Sequence, residues 1–199
     1  MTRPALRAAL ALGLLWTLAA APAWAHVERG AASGLLAGLR HPVSGWDHIL
    51  AMVAVGLWGA QLGPPAIWLL PVTFPMVMAF GGFLGLIGVP IPGVEIGIAL
   101  SAIALGLMVA AEGRPPLAVA AVLVAVFAVF HGHAHGTELP ESQSGMLYSI
   151  GFVVATGCLH AVGIAIGLIH RWRAGRNAIR LFGAGIAGAG VFFLVRAFS

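Results

Sequence analysis

Six long apolar runs follow the first 25 residues of the chain, and short stretches rich in proline, glycine or charge separate them. Each run is long enough to cross a hydrocarbon core of about 30 Å at about 1.5 Å per residue. The separating stretches contain the residues that most often end helices. The pattern predicts six transmembrane helices, at about 46–62, 65–89, 93–112, 115–131, 146–170 and 177–198.

The first 25 residues have the pattern of a secretory signal peptide. Arg3 and Arg7 precede an apolar run that reaches Ala21, and Ala23-Trp24-Ala25 provides a small-x-small cleavage site. We therefore expect a signal peptide over 1–25 and a single six-span transmembrane domain over 26–199. An uncleaved first helix is the alternative, although the apolar run is short for a membrane span.

Composition supports an all-α membrane protein, a six-helix transmembrane bundle once the signal peptide is removed. Hydrophobic residues make up 60% of the chain and charged residues 8%, whereas a soluble domain has about a quarter of its residues charged. The formal charge of +4 comes from arginine alone, and it bears on membrane orientation and not on nucleic acid. With Cys158 as the one cysteine, neither a disulfide framework nor a thiolate metal site is expected.

Two independent arguments predict the same orientation in the inner membrane. The loop from His170 to Arg176 is the most basic in the chain, so the positive-inside rule places it in the cytoplasm, with Arg114 on the same side. Counting spans back from this loop puts residue 26 outside. Signal-peptide cleavage requires the same result, and both mature termini are then predicted to be periplasmic.

Ionisable residues gather at the predicted outer ends of spans one, three and four. Such residues are costly at membrane depth and are kept mainly where they pair, bind a ligand or line a pathway. If a helix begins at Pro42, a favoured first position, then His41 and His48 lie two turns apart on nearly the same face. We expect one candidate metal site formed by His41, Asp47, His48, Glu95, His131, His135 and Glu138.

The residue types at these positions favour a divalent first-row metal. Imidazole and carboxylate ligands without sulfur suit nickel, cobalt, copper or zinc, and ligand type alone does not rank these four. His131, His135 and Glu138 follow i, i+4, i+7 spacing and form one stripe if the helix continues that far. Gly132 and Gly136 weaken such a helix, or let backbone come close to a ligand.

Two motifs in these stretches resemble the signatures of the HupE/UreJ family, small membrane proteins associated with nickel supply to hydrogenases and ureases. The first is His-x5-Asp-His at His41, Asp47 and His48, and the second is Phe-His-Gly-x-Ala-His-Gly-x-Glu over 130–138. The resemblance implies a nickel permease in which the histidines and carboxylates of both motifs form the ion entrance or binding site. His133 occupies the variable position, as an extra ligand or a solvated residue.

The predicted function is transport of Ni2+ from periplasm to cytoplasm, with Ni2+ as cargo, no prosthetic group, and Co2+ or Zn2+ as alternative ions. The chain lacks the G-x-x-x-x-G-K-[ST] phosphate loop, so it does not use ATP hydrolysis. The competing interpretation is an intramembrane zinc hydrolase with Glu95 or Glu138 as general base. A third interpretation is a metal sensor that does not transport the ion. His160, deep in span five, is either a core histidine or a relay site. Energy coupling, recipient enzyme and homo-oligomer formation stay open.

Overall fold

The structure, a computed structural model, describes residues 34–139 and 144–199, and every regular element in this part of the chain is helical. The predicted signal peptide over 1–25 lies outside the described residues. The helices are α1 (Gly34–Arg40), α2 (Trp46–Leu62), α3 (Ala66–Leu86), α4 (Val94–Ala111), α5 (Leu117–Thr137), α6 (Gly145–Gly167) and α7 (Arg173–Ala197), with 3-10 turns at His41–Val43 and Leu168–Arg171.

The helices form a multi-pass membrane bundle around α2. Five of them, α3 to α7, are long and apolar enough to cross a membrane. Helix α2 has 17 residues, about 26 Å at about 1.5 Å per residue, and it is buried along almost its whole length between α3, α4, α6 and α7. A sixth crossing by α2 therefore stays a prediction.

Polar and apolar residues are distributed as expected for a chain surrounded by lipid. Large apolar side chains such as Val72, Met76 and Phe80 lie exposed along one face of α3. The buried polar side chains lie inside the bundle; they are His48, Gln61, Ser101, His131, His133, His135, Thr156 and His160. The interior of the bundle therefore holds several imidazoles able to bind an ion.

Glycines allow α3 and α5 to pack with their backbones in contact. Gly132 lies against the carbonyl of Met78, and Gly136 lies against the carbonyl of Gly82. This close packing of small residues is typical of helix pairs in membranes. The predicted end of span four at 131 was wrong, because packing of both glycines against α3 holds the helix to Thr137. The backbone that approaches these two glycines belongs to α3 and not to a ligand.

The segment before α2 is not part of one continuous helix that begins at Pro42. His41–Val43 forms a separate 3-10 turn, which the Ser44 hydroxyl closes by donating to the His41 carbonyl at 2.7 Å. Gly45 then adopts an extended conformation, and α2 begins at Trp46. Helix α7 also begins earlier than predicted, at Arg173 and not at 177, because the basic loop residues themselves complete its first turn.

Hydrogen bonds close the end of the bundle opposite the histidines. The Trp58 indole N–H donates to the Gly113 carbonyl at 2.8 Å, and Arg114 donates to the Gln61 carbonyl at 3.1 Å. Arg176 lies 3.5 Å from Glu112. The 170–176 loop and Arg114 therefore share one end of the bundle, which confirms that part of the predicted arrangement.

Candidate metal centre

A three-residue group at the predicted outer end has the geometry of a metal site. His41, His135 and Glu138 each offer one ligand atom within 4.8 Å of the others. The His41 Nε2 atom lies 3.1 Å from Glu138 Oε2, and these two side chains are 18% and 41% exposed. The 3-10 turn supplies His41, the last turn of α5 supplies His135, and Glu138 follows directly after the end of that helix. The group therefore sits at the rim of the bundle, open to solvent.

Four imidazole rings continue from this rim into the interior. The His135 ring centroid lies 4.5 Å from that of His41 and 4.4 Å from that of His48. The His48 ring lies 4.7 Å from the His131 ring, which is fully buried. The structure thus brings the histidines of the two motifs together.

Asp47 fixes the orientation of His48. Its Oδ1 atom lies 2.9 Å from His48 Nδ1 and accepts the His48 backbone N–H at 2.8 Å. An ionised carboxylate only accepts hydrogen bonds, so a neutral His48 ring must carry its proton on Nδ1. The buried Nε2 atom then holds a free lone pair, and it has no hydrogen-bond partner among the described residues.

Ser101 fixes the orientation of His131 in the same manner. The sequence alone did not predict Ser101 as part of the site. The hydroxyl lies 2.6 Å from the Ile98 carbonyl and 2.8 Å from His131 Nε2. Since a carbonyl only accepts, the single hydroxyl proton goes to Ile98 and the His131 ring donates from Nε2. His131 Nδ1 is left with a lone pair and no partner within the described part of the chain. The one feature of the sequence that pointed to Ser101 was its hydroxyl group inside an apolar span.

Aromatic side chains enclose the imidazoles. Phe152 lies 4.2 Å from the His135 ring, Tyr148 lies 5.8 Å from the His41 ring, and Phe74 lies 5.4 Å from the His131 ring. Both His135 nitrogens are buried without a partner in residues 34–139 and 144–199. A neutral imidazole has one N–H and one lone pair, so each unpaired ring in this apolar surrounding can accept from a water molecule or bind a metal ion through its free nitrogen. The sequence did not distinguish these aromatic residues from others in the spans.

Glu95 and His133 lie outside the three-residue group at the rim. Glu95 is exposed at the start of α4, close enough to interact electrostatically with Asp47, His48 and Glu138. The His133 ring is buried, and its Nε2 atom donates to the Val89 carbonyl at 2.7 Å. His133 is therefore not a solvated residue, and this hydrogen bond attaches α5 to the loop that follows α3.

Comparison with known proteins agrees with the two motifs. The family model described as HupE / UreJ protein matches residues 14–193. Protein HupE of Rhizobium leguminosarum bv. viciae is 48% identical over 177 residues, which cover 88% of this chain and 93% of that protein. The chain belongs to the HupE/UreJ family. No significant match to a solved structure was found.

Membership of the HupE/UreJ family decides between classes of function that the residues alone left open. It places the chain among accessory membrane proteins linked to nickel, hydrogenase and urease, and not among enzymes. The zinc-hydrolase interpretation is therefore set aside.

Proposed function

We propose that this HupE/UreJ protein is a permease that carries Ni2+ from the periplasm to the cytoplasm. In this proposal it crosses the inner membrane six times, with both mature termini periplasmic, and supplies a nickel enzyme such as a hydrogenase or urease. The observation that carries the proposal is the row of four contiguous imidazoles, His41, His135, His48 and His131, which leads from an exposed rim to a fully buried position.

Capture begins at the rim. His41 and Glu138 are partly exposed and lie 3.1 Å apart, so a hydrated cation reaches both without a change of fold. Glu95 and Asp47 add negative charge nearby, which raises the local concentration of cations. His135 then completes the group, and the three side chains replace part of the water shell of the ion.

The inner rings receive the ion with their lone pairs already oriented. Asp47 holds the His48 proton on Nδ1, and Ser101 holds the His131 proton on Nε2. A carboxylate or hydroxyl that orients a metal-binding imidazole typically raises its basicity and its affinity for metal. We therefore assign Asp47 the role of positioning His48, a change from the ligand role expected from the sequence, while His41, His48, His131, His135 and Glu138 bind the ion.

The cytoplasmic end opens in a separate step. Hydrogen bonds from Trp58 and Arg114 close that end while the histidine rim is partly exposed. This combination is the one expected of a transporter that faces the periplasm. The membrane potential favours inward movement of a divalent cation by about 2.3 kcal/mol per charge per 100 mV, which provides a driving force without ATP.

Uptake of radiolabelled Ni2+ into proteoliposomes that contain the purified protein tests the proposal. We expect saturable uptake that His41→Ala and Glu138→Ala each abolish, with Co2+ and Zn2+ as competitors to establish selectivity. His170→Ala is the matched control, because that imidazole bonds to the Gly167 carbonyl at the opposite end of the bundle. Tight Ni2+ binding without uptake would refute the permease and favour a sensor or storage role.

A further inference from the structure

A second set of unpaired polar atoms lies deeper in the bundle than the metal centre. Thr156 and His160 are one turn apart on α6, so both side chains lie on the same face of the helix. They are 0% and 1% exposed, and neither the Thr156 hydroxyl nor either His160 nitrogen has a hydrogen-bond partner among the described residues. Burying such groups without partners costs free energy, and a bound ligand would reduce that cost.

The position of these groups continues the row of imidazoles. The Phe74 ring contacts both His131 and His160, with each centroid distance at 5.4 Å. Phe152, which contacts His135, precedes His160 by two helical turns, or about 12 Å along α6. His160 thus lies near the middle of the spanning segment Gly145–Arg171, inward of the metal centre, with the Phe74 ring between them.

Helix α3 adds a backbone oxygen at the same level. Pro75 has no N–H, so the carbonyl of Pro71 lacks its partner in the helix. The His160 imidazole lies close enough to that carbonyl to interact with it, although neither ring nitrogen makes a hydrogen bond of standard geometry. The His160 imidazole and the Pro71 carbonyl therefore approach each other between α3 and α6, and the Thr156 hydroxyl lies on the same face of α6 as His160.

We propose that His160, Thr156 and the Pro71 carbonyl form a second, inner site for the divalent cation, which the ion reaches by passing the Phe74 ring. The inference rests on the proposed transport function and adds an intermediate position to it. One nitrogen and two neutral oxygens suit a partly hydrated first-row metal ion. With no carboxylate, this site binds more weakly than the outer one, as release toward the cytoplasm requires.

Cobalt spectroscopy tests the inner site without depending on transport. In a Cys158→Ser background, His160→Cys places a thiolate at the inner site, and Co2+ bound there produces a thiolate-to-cobalt charge-transfer band in the near ultraviolet. Gly157→Cys in the same background is the matched control, since that position of α6 has open space around it and is expected to give no band. A His160→Cys protein that still binds Co2+ at the outer histidines but shows no band overturns the proposal.

A second variant keeps the proposal testable if the thiolate variant does not fold. In equilibrium dialysis, His160→Leu is expected to bind one Ni2+ fewer per chain, with outer-site affinity unchanged. Loss of groups that merely orient a ligand lowers affinity by about 10–100-fold, so loss of the ligand itself is expected to lower Ni2+ uptake by at least about tenfold. Unchanged stoichiometry and uptake in a folded His160→Leu protein refute the inner site. Absence of uptake by the unsubstituted protein refutes the permease instead, while the cobalt band still decides the inner site.

Discussion

Replacement of Gly132 by alanine is expected to separate α5 from α3 and to disturb the metal centre. An added Cβ at this position meets the carbonyl oxygen of Met78 and lies 2.8 Å from the Met78 carbonyl carbon and from the Gly82 nitrogen. Ordinary contacts of a Cβ lie at 3.4–4 Å, and the Met78 oxygen is closer to the added atom than these two, so the two helices must part by more than about 0.6 Å. Because the opposing atoms belong to the backbone, no side-chain rotation relieves the clash.

The magnitude follows from two opposing contributions. Overpacking of this kind costs about 1–3 kcal/mol, while alanine gains about 1 kcal/mol over glycine in helix propensity. The net loss in the free energy of unfolding is up to about 2 kcal/mol, or a melting temperature lower by up to about 8 °C for a chain of this size. His131 adjoins Gly132 and His135 lies three residues further along α5. If such a shift displaces these two side chains, Ni2+ is expected to bind at least about tenfold more weakly.

Thermal unfolding and Ni2+ titration of the purified protein in detergent measure both effects. Gly157→Ala is the matched control, because it adds the same methyl group to a helical glycine that has nothing within 4 Å of the new atom. The control should melt at the same or a slightly higher temperature and bind Ni2+ normally. If Gly132→Ala behaves like the control in both measurements, the close contact of α3 and α5 does not determine the geometry of the site.

Three further variants test individual interactions. Asp47→Asn weakens the orientation of His48 and should lower Ni2+ affinity by about 10–100-fold in calorimetric titration; an unchanged Kd contradicts its positioning role. Ser101→Ala removes the acceptor of the His131 ring proton and should weaken Ni2+ binding by at least about tenfold in the same titration, whereas binding equal to that of the unsubstituted protein would refute this assignment. Trp58→Phe leaves the Gly113 carbonyl without its donor and should lower the free energy of unfolding by about 1–3 kcal/mol in thermal unfolding. Ni2+ binding should be preserved, because Trp58 lies at the end of the bundle opposite the metal centre. Loss of Ni2+ binding would contradict that separation.

The sequence by itself was enough to assign the class of protein and to predict the residues of a candidate site. Exposing backbone polar groups to lipid is costly, so each membrane span must be one long apolar helix with helix breakers at its ends. This requirement applies to each segment separately and can therefore be recognised from its own residues. Spans two, three and five were therefore located to within a few residues. Histidines and carboxylates at span ends stood out because such groups are rarely tolerated there without a function.

Helix ends were predicted less well because they depend on packing partners. Gly132 and Gly136 indicated a weakened helix when considered alone, yet contact with the α3 backbone stabilises the helix to Thr137. Similarly, Pro42 predicted a helix start, but the Ser44 hydroxyl and Gly45 interrupt the segment before Trp46. Neither result follows from local propensity.

The contacts of individual side chains were decided only by the tertiary structure. Asp47 and His48 were predicted as two ligands, and the hydrogen bond between them is the basis for proposing that Asp47 orients His48. Ser101 is separated from His131 by 30 residues, and Phe74 touches both His131 and His160 from a third helix. The ring nitrogen that carries the proton in each histidine, and the order of the imidazole rings in the row, depend on which helices pack together. The sequence specifies that packing only through the whole set of small and large residues along every helix face.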